Sequence, residues 1–251
     1  MILYEYPFNE RTWLRLERLF DRFAQLQARS EAIDHHFALV TLFEILDVAG
    51  RPDLKPETMR DLDKQIQLLN SYRGNPIISE SVLEQTLQEL QTCFGQLEQM
   101  DGKIGHALLE KDWLTAIRSR ISIPGGTCEF DLPAYHAWQH LPAEERQNDL
   151  HQWMAELQPL GNSIKLLLHM LRGSGQAQKN TAKQGHFQQN LPQGRTFQLL
   201  RLKIPLAAQA VPEISANRLI VTVRMMQQNM QGQGAASQKT NDIDFELSLC
   251  A

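Results

Sequence analysis

At 251 residues, 42% hydrophobic and 22% charged, the chain is long enough for one or two buried cores, and no window approaches the ~18 consecutive apolar residues of a membrane-spanning helix. Its start, MILYEYPFNERTW, has no basic segment followed by a long apolar one, so no signal peptide is predicted; the widely spaced Cys93, Cys128 and Cys250 predict a reducing compartment and no structural zinc. The net charge of −4 hides a division, since residues 173–251 hold eight Lys/Arg against four Asp/Glu: a pI near 6.1 argues against general nucleic-acid binding, but a local basic patch remains that suits an acidic peptide.

Residues 2–6 are apolar and aromatic and end at Pro7, which predicts an N-terminal strand. Asn9 is placed to cap a helix in which Trp13, Leu16, Phe20 and Phe23 recur at spacings of three and four. On the opposite side of that helix Arg11, Arg15, Arg18 and Arg22 form a basic stripe, readable either as a solvated face with local ion pairs or as a binding surface. Residues 32–48 are apolar almost all round, which a helix tolerates only inside a bundle, and Gly50 stops them. His35 and His36 are adjacent and so point to different faces, unsuited to a metal pair. Pro56 opens a third helix through Met59, Leu62, Ile66 and Leu69, closed by Gly74-Asn75-Pro76. Ser81 and Glu84 spell a capping box for a fourth, whose seam of Leu83, Leu87, Leu90, Phe94 and Leu97 predicts a partner helix within the same chain. A further helix is expected from about Ile104 to Ile121, with Arg118 and Arg120 complementing the dipole of its last turn.

The stretch SRISIPGGTCEFDLPAYHAWQHLP, residues 119–142, is the densest in signals. Pro124-Gly125-Gly126 makes a hard turn, and the alternation of Cys128, Phe130 and Leu132 with Thr127, Glu129 and Asp131 predicts a short half-buried strand. Pro133 then opens a helix capped by Asp131 or Leu132. A chain that steps from helix to strand to helix predicts a domain junction there. Leu150, Trp153, Met154 and Leu157 form the apolar face of the next helix, which Pro159 breaks or kinks before Ile164, Leu167, Leu168 and Leu171 continue to Gly173.

Beyond Gly173, GSGQAQKNTAKQG reads as a mobile linker. Period-two alternation then predicts strands near 197–204, 219–226 and 243–249, with a further short one at 186–191. The polar QQNMQGQGAASQKTN segment between the last two is expected to be disordered at its tip. The fold class expected is therefore α+β: a helical bundle domain, 8–172 with the short strand near 127–132, beside an antiparallel β domain built from 1–7 and 173–251.

Enzyme signatures are missing: no G-x-x-x-x-G-K-[ST], no G-x-G-x-x-G after a strand, no G-x-S-x-G and no H-E-x-x-H. His136 and His140 would share one helix face at metal-ligand separation. A metal-dependent hydrolase built on that pair is the alternative to a non-enzymatic role, and its third ligand would have to be His151 or Asp131. No cofactor is predicted.

Several segments together carry a family resemblance. They are Arg11-Thr12-Trp13-Leu14-Arg15, Glu44-Ile45-Leu46-Asp47-Val48, Arg120-Ile121-Ser122-Ile123-Pro124-Gly125-Gly126, Phe130-Asp131-Leu132-Pro133 with His136, Trp138 and His140-Leu141-Pro142, and the closing Asp244-Phe245-Glu246-Leu247. In this order they resemble the ZapD family of Z-ring-associated cell division factors, with departures in the Gln/Gly-rich segment 227–241 and at Trp113, where a basic residue is often found. The resemblance implies a cytoplasmic homodimer at the mid-cell division site that binds the C-terminal tail of the tubulin-like GTPase FtsZ and bundles its protofilaments, with no catalysis, no membrane and no nucleic acid. The basic residues it implies at the tail-binding surface match Arg15, Arg51 and Arg224, with His136 in the central stretch. Charge placement adds Arg118, Arg120 and Arg218.

Overall fold

The computed structural model describes residues 1–8, 11–227 and 237–251. The fold is α+β and divides into two compact units, Thr12–Leu167 and Met1–Arg11 with Leu168–Ala251, the division falling inside the ninth helix. The expected cap at Asn9 and residues 228–236, where the expected disorder of the Gln/Gly-rich segment falls, lie outside the described residues.

Unit Thr12–Leu167 is helical. Its elements are α1 (Arg11–Gln27), α2 (Ala32–Ala49), α3 (Leu54–Asn70), α4 (Glu80–Glu98), α5 (His106–Leu109), α6 (Asp112–Ile121), α7 (Pro133–Gln139), α8 (Ala143–Ala155) and the first part of α9 (Gln158–Gly173). α1 buries Trp13, Leu16 and Phe23 and turns its arginines outward. α2 buries residues on most of its circumference, including Leu39, Leu42, Ile45 and Leu46, while Ile33 and Phe37 remain exposed along one edge. Each leucine fully withdrawn from water contributes roughly 1.5–3 kcal/mol, so α2, packed on α6 and α8, is the core element of the unit. α3 and α4 form a hairpin in which Leu62, Leu83, Leu87, Leu90 and Leu97 are buried.

Three local expectations are corrected here. The α4 N-cap is Ser79, without a side-chain capping bond, because Glu84 is taken by Arg73 at 3.0 Å and so does not reach back to complete a box at Ser81. The helix expected from Ile104 is two, since the chain turns between Leu109 and Asp112. Residues 127–132 form no strand. They continue a run of tight turns, with Gly126 N–H donating to Ile123 O at 2.9 Å, Cys128 N–H to Gly125 O at 3.3 Å and Asp131 N–H to Cys128 O at 3.0 Å. Local turn bonds satisfy the backbone that a strand would have had to pair, and Phe130, predicted to be half-buried, is 79% exposed. Gly125 at φ 70° and Gly126, where a Cβ would lie 2.6 Å from Arg120 O, make these turns possible.

The other unit is built of strands β1 (Ile2–Pro7), β2 (Gln178–Ala182), β3 (His186–Asn190), β4 (Leu199–Ile204), β5 (Ala210–Ala216), β6 (Ile220–Gln227) and β7 (Ile243–Cys250). They form two antiparallel sheets, β1-β4-β7-β2 and β3-β6-β5. The sheets share a core: Leu200, Leu202, Phe245 and Leu247 from one, Val221, Val223 and Met225 from the other, with the rings of Phe187 and Phe245 edge to face at 5.1 Å. The segment read as a linker contains β2, a polar edge strand of which only Ala182 is buried. Its backbone pairs with β7, and the Thr181 hydroxyl donates to Asp244 at 2.6 Å. β5 has no counterpart among the expected strands; its Pro212 sits on an edge, where a missing N–H is tolerated.

Two buried polar knots hold these units internally. In the helical unit the Arg146 guanidinium, 6% exposed, donates to His35 Nδ1 at 2.9 Å, Ser30 O at 2.6 Å, Gln139 O at 3.0 Å and Leu141 O. His35 Nε2 in turn donates to Arg29 O at 2.8 Å, which fixes the tautomer. In the β unit Glu5 of β1 accepts from Arg172 at 2.8 and 2.7 Å and from Arg201 at 3.0 Å. Burial works to raise the Glu5 pKa, but the bonds and charges of Arg172 and Arg201 outweigh it, and the carboxyl is held below its ordinary value.

Arg146→Met keeps length and apolar volume but leaves three carbonyls and an imidazole nitrogen without donors, each costing about 1–3 kcal/mol when buried. The variant is expected to lose about 3–5 kcal/mol in urea unfolding, and Arg146→Lys, which lacks the fork, to fall between it and wild type. A loss under about 0.5 kcal/mol, the range of ordinary surface substitutions, would show that the knot carries no stability. For Glu5, a depressed folded-state pKa means stabilisation that is complete above the unfolded value of about 4.3 and lost as pH falls through the lower folded value. Glu5→Gln is therefore expected to destabilise at pH 7 and to show a smaller stability loss than wild type between pH 5 and pH 3. Equal losses in the two proteins over that window would contradict the linkage.

Candidate functional site

The exposed edge of α2 carries Glu44 and Asp47, one turn apart. Arg22 of α1 pairs with Glu44 and donates to the Thr41 hydroxyl at 3.0 Å, while Arg118 of α6 pairs with Asp47. Arg51 follows at the end of α2, donating to Asp53 at 3.1 Å and to the Thr12 hydroxyl at 3.3 Å. Thr12 lies one helical turn before Arg15 on α1, so Arg51 reaches the same turn of α1 that presents Arg15. Among the described residues Arg15 is exposed and makes no hydrogen bond or ion pair. Arg51 and Arg118 thus stand at the C-terminal end of α2 with the carboxylates of Asp53 and Asp47, and Arg15 is one turn along α1 from the Thr12 that Arg51 bonds. All of these pairs are solvent-exposed, with Arg51 and Asp53 at 53% and 47% of their side-chain surface, a setting in which an ion pair is worth about 0–1 kcal/mol.

Arg120 and His136 belong to the same unit but do different work. Arg120 pairs with Asp131 at 3.5 Å, tying the end of α6 to the run of turns that follows. His136 is exposed on α7 with its ring 4.5 Å from that of His140, whose Nδ1 donates to the His136 carbonyl at 2.8 Å. Among the described residues no group of three His, Cys, Asp or Glu side chains is arranged to hold a metal, so the pair has no third ligand there.

In the β unit Arg224 faces outward from β6, in register with His186 of β3 on one side and Glu213 of β5 on the other, and pairs with Glu213 at 2.6 Å. Arg218 stands in the β5–β6 turn, which Asn217 Oδ1 shapes by accepting from the backbone N–H groups of Leu219 at 2.8 Å and Ile220 at 3.0 Å. Arg218 is exposed and, among the described residues, unpaired. The two are six residues apart, about 20 Å along an extended strand, so they address different parts of any ligand.

Sequence reasoning missed the layer beneath α7. Trp113, Trp138 and Trp153 have ring centroids 5.2–6.0 Å apart, Tyr135 stacks on Trp138 at 5.9 Å, and Trp138 Nε1 donates to Asp149 at 2.9 Å. His36 Nδ1 meets the Tyr135 hydroxyl at 2.7 Å; burial lowers the pKa of the imidazole and raises that of the phenol. Trp113, expected as a departure from the resemblance, is thereby a packing residue. Its apolar neighbours Leu114 and Ile117 were the available signal.

The family model of ZapD, described as a cell division protein, matches residues 14–224, a span that runs from α1 to β6 and includes Arg15, Arg51, Arg118, Arg120, His136, Arg218 and Arg224. The chain belongs to the ZapD family of cell division proteins.

Proposed function

We propose that this protein is a Z-ring factor that binds the C-terminal tail of FtsZ through exposed arginines and, as a homodimer, crosslinks FtsZ protofilaments at mid-cell without catalysing a reaction. The observation that carries the reading is the membership in a cell division family combined with a surface that presents guanidinium groups. Arg51 donates to the Thr12 hydroxyl on α1, one helical turn from Arg15. An arginine fork matches a carboxylate in shape as well as charge, and Arg15, without a partner among the described residues, has its donors available. Arg51, Arg118 and Arg224 are held by exposed carboxylates, and exchanging those weak partners for a peptide carboxylate costs little. Arg218 offers a further cation unpaired among the described residues, whereas Arg120 and His136 border the turn segment. Bundling needs two tail sites per particle, which a two-fold symmetric dimer supplies with one kind of site.

Charge reversal separates binding from stability. Arg15→Glu and Arg51→Glu are each expected to weaken FtsZ co-sedimentation by about 1–3 kcal/mol while melting temperature stays nearly unchanged, and wild-type bundling should fall as salt shortens the Debye length below about 10 Å. Adding Arg224→Glu tests the β unit; it also places two glutamates side by side at Glu213, so circular dichroism is the companion measurement. Unchanged co-sedimentation of the folded triple variant would remove this surface from the reading. Sedimentation equilibrium is expected to show a dimer at micromolar concentration, and a pure monomer would remove the crosslinking mechanism.

A further inference from the structure

We infer a second, small-ligand site in the β unit, a cleft between the two sheets that takes an α-carboxylate with an adjacent N–H donor and an apolar side chain. The cleft measures about 340 Å³, at the lower end of the ~300–1,000 Å³ typical of small-molecule sites. Gln178 of β2 and Leu247 and Leu249 of β7 line it from one sheet, Gln189 of β3 from the other, and Arg195 and Phe197 from the segment leading into β4.

Two unmet bonding demands define the ligand. Gln189 Oε1 is buried without a hydrogen-bond partner. Leaving an acceptor in that state costs about 1–3 kcal/mol, which a ligand N–H or O–H recovers. Arg195 follows a turn closed by Gly194 at φ 82°. Its guanidinium sits 5.1 Å from the centroid of the buried Phe197 ring, and among the described residues it makes no hydrogen bond or ion pair. Stacking on the ring limits its freedom and leaves the fork edge for a planar anion. A carboxylate on Arg195, an N–H on Gln189 and an apolar group against Leu247, Leu249 and Phe197 are the parts of an N-acylated apolar amino acid, and equally of the last residue of a peptide. The site uses none of the arginines assigned to the FtsZ tail.

The test titrates the full chain with N-acetyl-L-leucine, with the peptide Gly-Gly-Ser-Leu bearing a free carboxylate, and with N-acetyl-L-leucinamide, read by amide NMR shifts. Saturable binding of an acid, at least about tenfold weaker for the amide, is expected, with shifts at Gln189 and Arg195. Tighter binding of the peptide would assign the natural ligand to a chain terminus, and tighter binding of N-acetyl-L-leucine to a free metabolite. Arg195→Gln, at an exposed position, is expected to lose about tenfold in affinity with the fold retained. Gln189→Leu should lose affinity as well while gaining melting temperature, since the unpaired acceptor is gone. No saturable binding of either acid up to its solubility limit, or affinity equal for acid and amide, or unaffected by Arg195→Gln, overturns the site. Failure here leaves FtsZ co-sedimentation untouched, so the two readings stand or fall separately.

Discussion

One guanidinium holds the helical unit in register. Among the described residues Arg146 pairs with no carboxylate; its donors go to carbonyls at two separate places, Ser30 between α1 and α2, and Gln139 at the end of α7 with Leu141 just after it, and to the ring of His35. Carbonyls at helix ends have no partner inside their own helix, and burying them without one would cost more than the turn could bear. Arginine suits the position because it has five donors in a plane and no acceptor to satisfy. The helix that presents His136 and the aromatic layer under it are thereby fixed to α2, the most buried helix of the unit. His35 also lies 6.5 Å from Trp138, so the polar knot and the aromatic layer support one another.

The arginines of this chain separate by environment, and that separation decides what each can do. Arg146 is buried and committed to backbone. Arg172 and Arg201 are 22% and 25% exposed and share the single carboxylate of Glu5, an arrangement that is costly to break because two cations would be left close together out of water. Arg22, Arg51, Arg118, Arg120 and Arg224 are in exposed pairs, and Arg15 and Arg218 have no partner among the described residues. Only the last two groups can trade partners at little cost. Net charge would not have revealed this, since a basic count in residues 173–251 includes Arg201, which is spent on the core.

Much of this was legible because it rests on periodicity. The spacing of Trp13, Leu16 and Phe23 and the alternation of Ile243, Phe245 and Leu247 marked a helix and a strand, and burial follows both. Alternation failed at 127–132 because six residues of period two are also compatible with consecutive turns, and the glycines that favour turns lie just before them. It failed at β2 for the opposite reason, a strand whose pairing is all backbone and whose side chains are polar. At the candidate site, the resemblance pointed to Arg51 but not to its neighbour: the bond to Thr12 joins positions 39 residues apart, and no local pattern encodes that. Glu5 did leave a trace, a single charge in the apolar ILYEY run, and a charge in such a run needs a buried partner.

The edges of the β unit bear on how association of this kind can remain reversible. β1, β2, β3 and β5 are all edge strands, and an open edge is a template for pairing with another chain. Three of them are blunted. β5 carries Pro212, which removes a donor; β2 is short and carries Lys179; the exposed positions of β3 are His186, Gln188 and Asn190. Strand addition between copies would bury a row of backbone bonds and dissociate slowly, whereas contacts between exposed guanidinium and carboxylate groups are individually weak and weaken further with salt. The crosslinking role proposed above needs the second kind. Placing Arg224 and Glu213 on the face of the sheet, not along its edge, leaves the charged pair available to a partner while the strand edges discourage polymerisation of the protein itself.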